Sequence, residues 1–155
     1  MTFTPDVIQA WHGHRLAGKK AVVTGAGRGI GKGVALMCAA QGAEVLACDI
    51  NSAALDILLE EATAAGFERF FTVASDLTDE KGAGILADAA RKDLGTVHIL
   101  INAAAIVVFD WIETMRLSDW RKTISGELDT VFLVTQAIWP FLKQQGGSII
   151  NFSSA

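Results

Sequence analysis

The chain has 155 residues, enough for one domain with a sizeable core, and a net charge of −4 without a basic stripe, which argues against a nucleic-acid partner. Its composition is 51% hydrophobic with a mean hydropathy of +0.37, which suits a parallel sheet covered on both faces. The longest apolar run, Ile99 to Phe109, is broken by Asn102 and falls short of the ~20 residues a membrane span needs, and residues 1–20 carry no secretory pattern.

Taken in order, residues 1–15 read as an extension with Val7, Ile8 and Trp11 at helical spacing. His12 and His14 have no third metal ligand nearby and read as surface residues on an arm that packs through Trp11. Lys20 to Thr24 is a short β-branched strand. Thr24 to Gly31, Thr-Gly-Ala-Gly-Arg-Gly-Ile-Gly, follows as a strand-to-helix turn, and Ile30 to Gln41 is a helix on the spacing of Ile30, Val34, Met37 and Cys38, capped near Gly42. Strand two is Glu44 to Asp49, a helix over 54–65 follows the capping candidates Asn51 and Ser52, and strand three is Phe70 to Ala74. A third helix spans about 79–93 and closes at Gly95. Strand four, His98 to Asn102, is apolar enough to be expected at the centre of the sheet. A long helix over 118–144 leads to strand five, Ser148 to Ser153.

This alternation predicts a Rossmann-type doubly wound parallel sheet, a three-layer α/β/α fold that stops after the fifth strand, with residues 16–155 as a dinucleotide-binding domain. Strand five is then an exposed hydrophobic edge. The two cysteines, Cys38 and Cys48, lack C-x-x-C spacing and read as buried small side chains, which fits a soluble protein in a reducing cytoplasm.

Glycines at a strand-to-helix turn let a pyrophosphate approach the main chain, where the first-turn N–H groups and the helix dipole attract anions. The alternative phosphate loop G-x-x-x-x-G-K-[ST] needs Gly at 26 and Ser or Thr at 33, where this chain has Ala26 and Gly33. Asp49 ends strand two, 24 positions after Gly25, close to the spacing of about 20 for an acid that accepts ribose hydroxyls. Such a carboxylate repels a 2′-phosphate and favours NAD over NADP.

The spacing of Gly25, Gly29 and Gly31 resembles the T-G-x-x-x-G-[IL]-G turn of the short-chain dehydrogenase/reductase family. Asp76-Leu77 resembles its adenine-binding Asp-[Val/Leu] pair, and Ile101 to Ala105 its N-N-A-G segment, with Ala105 in place of the glycine. The resemblance implies a nucleotide site built from Gly25, Arg28, Gly29, Ile30, Gly31, Asp49, Ile50, Asp76, Leu77, Asn102, Ala103 and Ala104. Within the family a basic residue such as Arg28 in the turn goes with NADP, against the signal of Asp49. The long helix resembles the family's interface helix, which implies a homo-oligomer through 118–144. Glu127 stands where that helix carries an Asn that holds a water in the proton relay. Gly147 to Ser154 resembles G-x-I-[IV]-N-x-S-S, which makes Ser154 the serine that bonds the substrate carbonyl.

The family reaction also needs a Tyr-x-x-x-Lys pair about a dozen residues after Ser154, and this sequence contains no Tyr. Ser154 and Glu127 are therefore the catalytic candidates within it, for hydride transfer between NAD and an alcohol or ketone, without a metal. The other readings are a nucleotide-binding module without turnover, and a purely structural fragment. Phe109, Trp111 and Ile112 after strand four suit either an apolar lining of the substrate pocket or a packing role.

Overall fold

A computed structural model describes residues 4–153, so Ser154 lies outside the described residues. The strands are β1 (Lys20–Thr24), β2 (Glu44–Asp49), β3 (Phe70–Ala74), β4 (Ile99–Asn102) and β5 (Ser148–Asn151). The helices are α1 (Pro5–Gln9), α2 (Gly29–Ala40), α3 (Ser52–Ala64), α4 (Glu80–Ala89), α5 (Leu117–Ile124) and α6 (Thr130–Leu142). All five strands run parallel in the order β3-β2-β1-β4-β5. The expected central placement of β4 holds in that it is an interior strand between β1 and β5, while β1 is the middle strand, with two strands on each side.

Strict alternation along these strands builds two cores. Ala21 and Val23 of β1, Val45 and Ala47 of β2 and Ile101 of β4 face α2 and α3 on one side. Val22, Leu46, Cys48 and Leu100 face α4 and α6 on the other, where they meet Leu86, Val134 and Ile138. Sequences buried on both faces need an apolar residue at nearly every strand position, and these strands have one. The N-terminal arm joins the first core chiefly through Ile8, which is fully buried, with Trp11 partly buried beside it. His12 lies against the ring of Phe67.

The predicted long helix is interrupted. Between α5 and α6 the segment Ser125–Asp129 is π-helical, with the Thr130 hydroxyl donating to the Ser125 carbonyl at 3.0 Å. The wider turn lets Gly126 close onto Ile106, whose Cβ would lie 2.5 Å from any Cβ added at 126. A second π-helical segment, Ala90–Leu94, ends at Gly95. Among the described residues, no helix is long and apolar enough to cross a membrane. The β5 edge is open, with Ile150 half exposed.

Burial raises the Cys38 thiol to about 11 and, with the adjacent charge of Asp49 adding to the effect, the Cys48 thiol to about 12. A thiol whose pKa is raised in the folded state stabilises the fold below its ordinary value near 9, and that contribution is lost as pH climbs through 11 to 12. Chemical denaturation across that range is expected to show a falling stability whose slope flattens in a Cys38→Ala/Cys48→Ala variant. An unchanged slope would contradict it.

Candidate functional site

At the carboxyl ends of β1, β2 and β4 the chain leaves a cleft of about 660 Å³. The turn after β1 forms one wall, and its shape depends on glycine at defined points. Gly25 takes a left-handed φ of +64°, and an added Cβ would lie 2.5 Å from the Ala103 carbonyl oxygen. At Gly31 a Cβ would lie 2.2 Å from the Gly25 carbonyl oxygen. The turn thus folds back on itself at a distance that only residues without a Cβ permit.

Among the described residues no side chain caps α2, whereas Asn51 caps α3 through the Ala54 N–H at 3.1 Å and Asp79 caps α4 through the Gly82 N–H at 2.7 Å. The first turn of α2 opens onto the cleft with its N–H groups free of such a partner, an arrangement that accepts an anion. Arg28 is exposed at the N-cap position, and Ile30 is exposed at the rim.

Asp49 closes the second wall. Its carboxylate accepts the Gly27 N–H at 2.8 Å and the Asn51 N–H at 3.0 Å, so one acid ties the glycine turn to the tip of β2. A carboxylate has about four acceptor positions, which leaves room for two further donors. Ile50 lies beside it with 60% of its surface exposed, too much for a core residue and well placed to lie against a flat ligand ring.

Asp76 accepts from the Thr78 N–H and hydroxyl at 3.1 and 2.7 Å, which fixes the loop after β3. Leu77 lines the cleft while its buried side chain belongs to the second core. On the third side, the Thr24 hydroxyl accepts the N–H groups of Ala103 and Ala104 at 3.1 and 3.2 Å. Thr24 and Gly27 lie within the turn that the sequence marked, whereas Asn51 and Thr78 are structural partners of the site that the sequence did not single out for it. A Thr two residues after Asp76 is the signal that could have found one of them.

The remaining sequence candidates lie elsewhere. Asn102 is buried and does not line the cleft. Its amide donates to the Asn151 side-chain oxygen at 2.8 Å and to the Thr135 hydroxyl at 3.3 Å, joining β4 to β5 and α6. Glu127 lines a second cleft of about 720 Å³ together with Phe132, Trp139, Asn151 and Ser153. Phe109, Trp111 and Ile112 line neither cleft. They project from the loop after β4 with exposures of 89%, 76% and 86%. That loop is held from within by Asp110, whose carboxyl is kept below the usual range by the Thr114 hydroxyl and then the Trp111 N–H.

The profile of the family described as short chain dehydrogenase matches residues 19–155. The chain is 35% identical over 142 residues to D-threitol dehydrogenase of Mycolicibacterium smegmatis, covering 90% of this chain and 54% of that protein. It is 36% identical over 141 residues to 3-beta-hydroxysteroid dehydrogenase of Comamonas testosteroni, covering 91% of this chain and 54% of that one. A solved short-chain type dehydrogenase/reductase of Mycobacterium marinum superposes with a TM-score of 0.85 at 32% identity, over 90% of this chain and 55% of that chain. The chain therefore spans about half the length of the curated relatives it matches.

Proposed function

The chain belongs to the short-chain dehydrogenase family, and from that premise we propose that it supplies the NAD-binding half of an oxidoreductase acting on a small alcohol or ketone. The observation that carries this reading is the Asp49 carboxylate, held by the Gly27 N–H at 2.8 Å at the lip of a cleft walled by the uncapped start of α2. Contact distances of 2.2 and 2.5 Å for a Cβ at Gly31 and Gly25, both to backbone carbonyl oxygens, support a turn that only glycine closes this tightly. A dinucleotide fits that donor set.

In this reading, the main chain of Gly25, Arg28, Gly29, Ile30 and Gly31 bonds the pyrophosphate. Asp49 and Ile50 hold the adenosine ribose, Asp76 and the Leu77 backbone the adenine, and Ala103 and Ala104 the neighbouring surface. Asn102 acts at one remove by fixing β4 against β5. Two acceptor positions left on Asp49 support ribose hydroxyls as ligands and oppose a 2′-phosphate, so NAD is preferred to NADP. When bound, a nicotinamide cofactor supplies the hydride acceptor or donor. Ser154 orients the substrate oxygen, and Glu127, whose cleft also includes Ser153, holds a water or takes part in the acid–base work, the Tyr that moves the proton in the family pattern not being among these 155 residues. Residues 16–155 form the binding domain and 1–15 its extension. Exposed Leu128, Phe132 and Trp139 support a homo-oligomer through 118–144, and buried Cys38 and Cys48 support a cytoplasmic setting.

Incubating the full-length protein with NAD and a panel of polyols and hydroxysteroids is expected to yield NADH with at least one of them. Glu127→Gln is expected to lower that turnover more than tenfold while leaving NAD affinity unchanged, in line with the ~10²–10⁴-fold that acid–base groups contribute. One observation favours a second reading, a nucleotide-binding module without turnover: Glu127 and Ala105 replace the Asn and Gly of the family pattern. NAD binding with no turnover of any alcohol would support that reading instead.

A further inference from the structure

Away from the cleft, one ion pair is almost entirely out of water. Lys32 of α2 is 5% exposed, and its Nζ lies 2.8 Å from Glu61 Oε1 of α3. The second carboxylate oxygen, Glu61 Oε2, is buried and has no hydrogen-bond partner among the described residues. Ala35 and Leu36 on α2, and Leu58 and Ala62 on α3, supply apolar surroundings within the first core. Such a pair is a poor source of stability, because desolvating both charges costs several kcal/mol and an unpaired oxygen recovers none of it. Breaking such a pair strands a buried charge, so a packing of the two helices that keeps Lys32 and Glu61 together is favoured over one that parts them.

The two helices it joins begin at the two halves of the cleft. Lys32 is one turn into α2, directly after the glycine turn, and α3 begins after Asn51, whose N–H is bonded by Asp49. We propose that Lys32 and Glu61 are positioning residues that set the spacing between the phosphate-binding turn and the ribose-binding acid, and so tune the site to a ligand that spans both. This rests on the reading of the cleft as an NAD site.

The test compares NAD, which spans both halves, with adenosine, which occupies only the ribose half, by ligand-observed NMR titration of the full chain. A Lys32→Met/Glu61→Leu variant removes both charges without stranding either, and keeps the fold. Its expected signature is an NAD affinity lowered about tenfold, an adenosine affinity changed less than twofold, and a melting temperature equal to or above that of the unsubstituted chain. The charge-swapped Lys32→Glu/Glu61→Lys variant is expected to recover most of the NAD affinity. Equal changes for NAD and adenosine, or none for either, would overturn the proposal while leaving the NAD site intact. Failure of the unsubstituted chain to bind NAD would instead remove the site, and this inference with it.

Discussion

Asp49→Ala is expected to weaken NAD binding by about 10- to 100-fold, the equivalent of ~1.5–3 kcal/mol for charge-assisted hydrogen bonds. The carboxylate has two tasks in one place. It offers acceptors to the ribose, and it already accepts the Gly27 N–H at 2.8 Å and the Asn51 N–H at 3.0 Å. Alanine removes both tasks and leaves the Gly27 N–H without its acceptor. Asparagine separates them, because its side-chain oxygen still accepts one N–H while the charge is gone. Asp49→Asn should therefore lose less NAD affinity than Asp49→Ala and should also narrow the preference for NAD over NADP, because the repulsion of a 2′-phosphate is lifted. Parallel titrations of the two variants with both cofactors check this. Equal losses in the two variants would mean that turn geometry plays no part.

Gly31→Ala is expected to cost about 3 kcal/mol of stability, at the upper end of overpacking penalties, and to abolish measurable NAD binding. The added methyl would lie 2.2 Å from the Gly25 carbonyl oxygen, a backbone atom that cannot rotate away, so the turn itself must open. Gly29 provides the control. It has a left-handed φ of +56° but nothing within 4 Å of an added Cβ, so Gly29→Ala should cost only the ~1–2 kcal/mol of the backbone conformation. Urea denaturation of the two variants orders them. A Gly31→Ala variant as stable as Gly29→Ala would show that the close return of the turn onto Gly25 is not needed.

Much of this architecture is legible in the sequence because it rests on local rules. Strands β1, β2 and β3 begin and end where β-branched and apolar runs begin and end, and the glycine turn with Asp49 lies where its spacing requires. Position in the sheet is less accessible. The apolar character of β4 reflects burial on both faces, which β1 shares, and only pairing distinguishes the central strand from its neighbour. The π-helical break at Ser125–Asp129 also depends on a distant contact, Gly126 on Ile106, which helical periodicity does not encode. Asn102 illustrates a third limit. Its amide turns toward Asn151 and Thr135 instead of the cleft, a choice made by β5 and α6 across sequence separations of 49 and 33. Phe109, Trp111 and Ile112 are exposed on a loop fastened by Asp110, so the packing role open to them in the sequence is not met among the described residues.

The most direct measurement is a calorimetric titration of the unsubstituted protein with NAD and, separately, with NADP. The expected result is one NAD per chain, bound at least tenfold more tightly than NADP, with the difference reduced in Asp49→Asn. No heat with NAD at any concentration, or tighter binding of NADP, would contradict the assignment of Asp49 and the glycine turn as an NAD site.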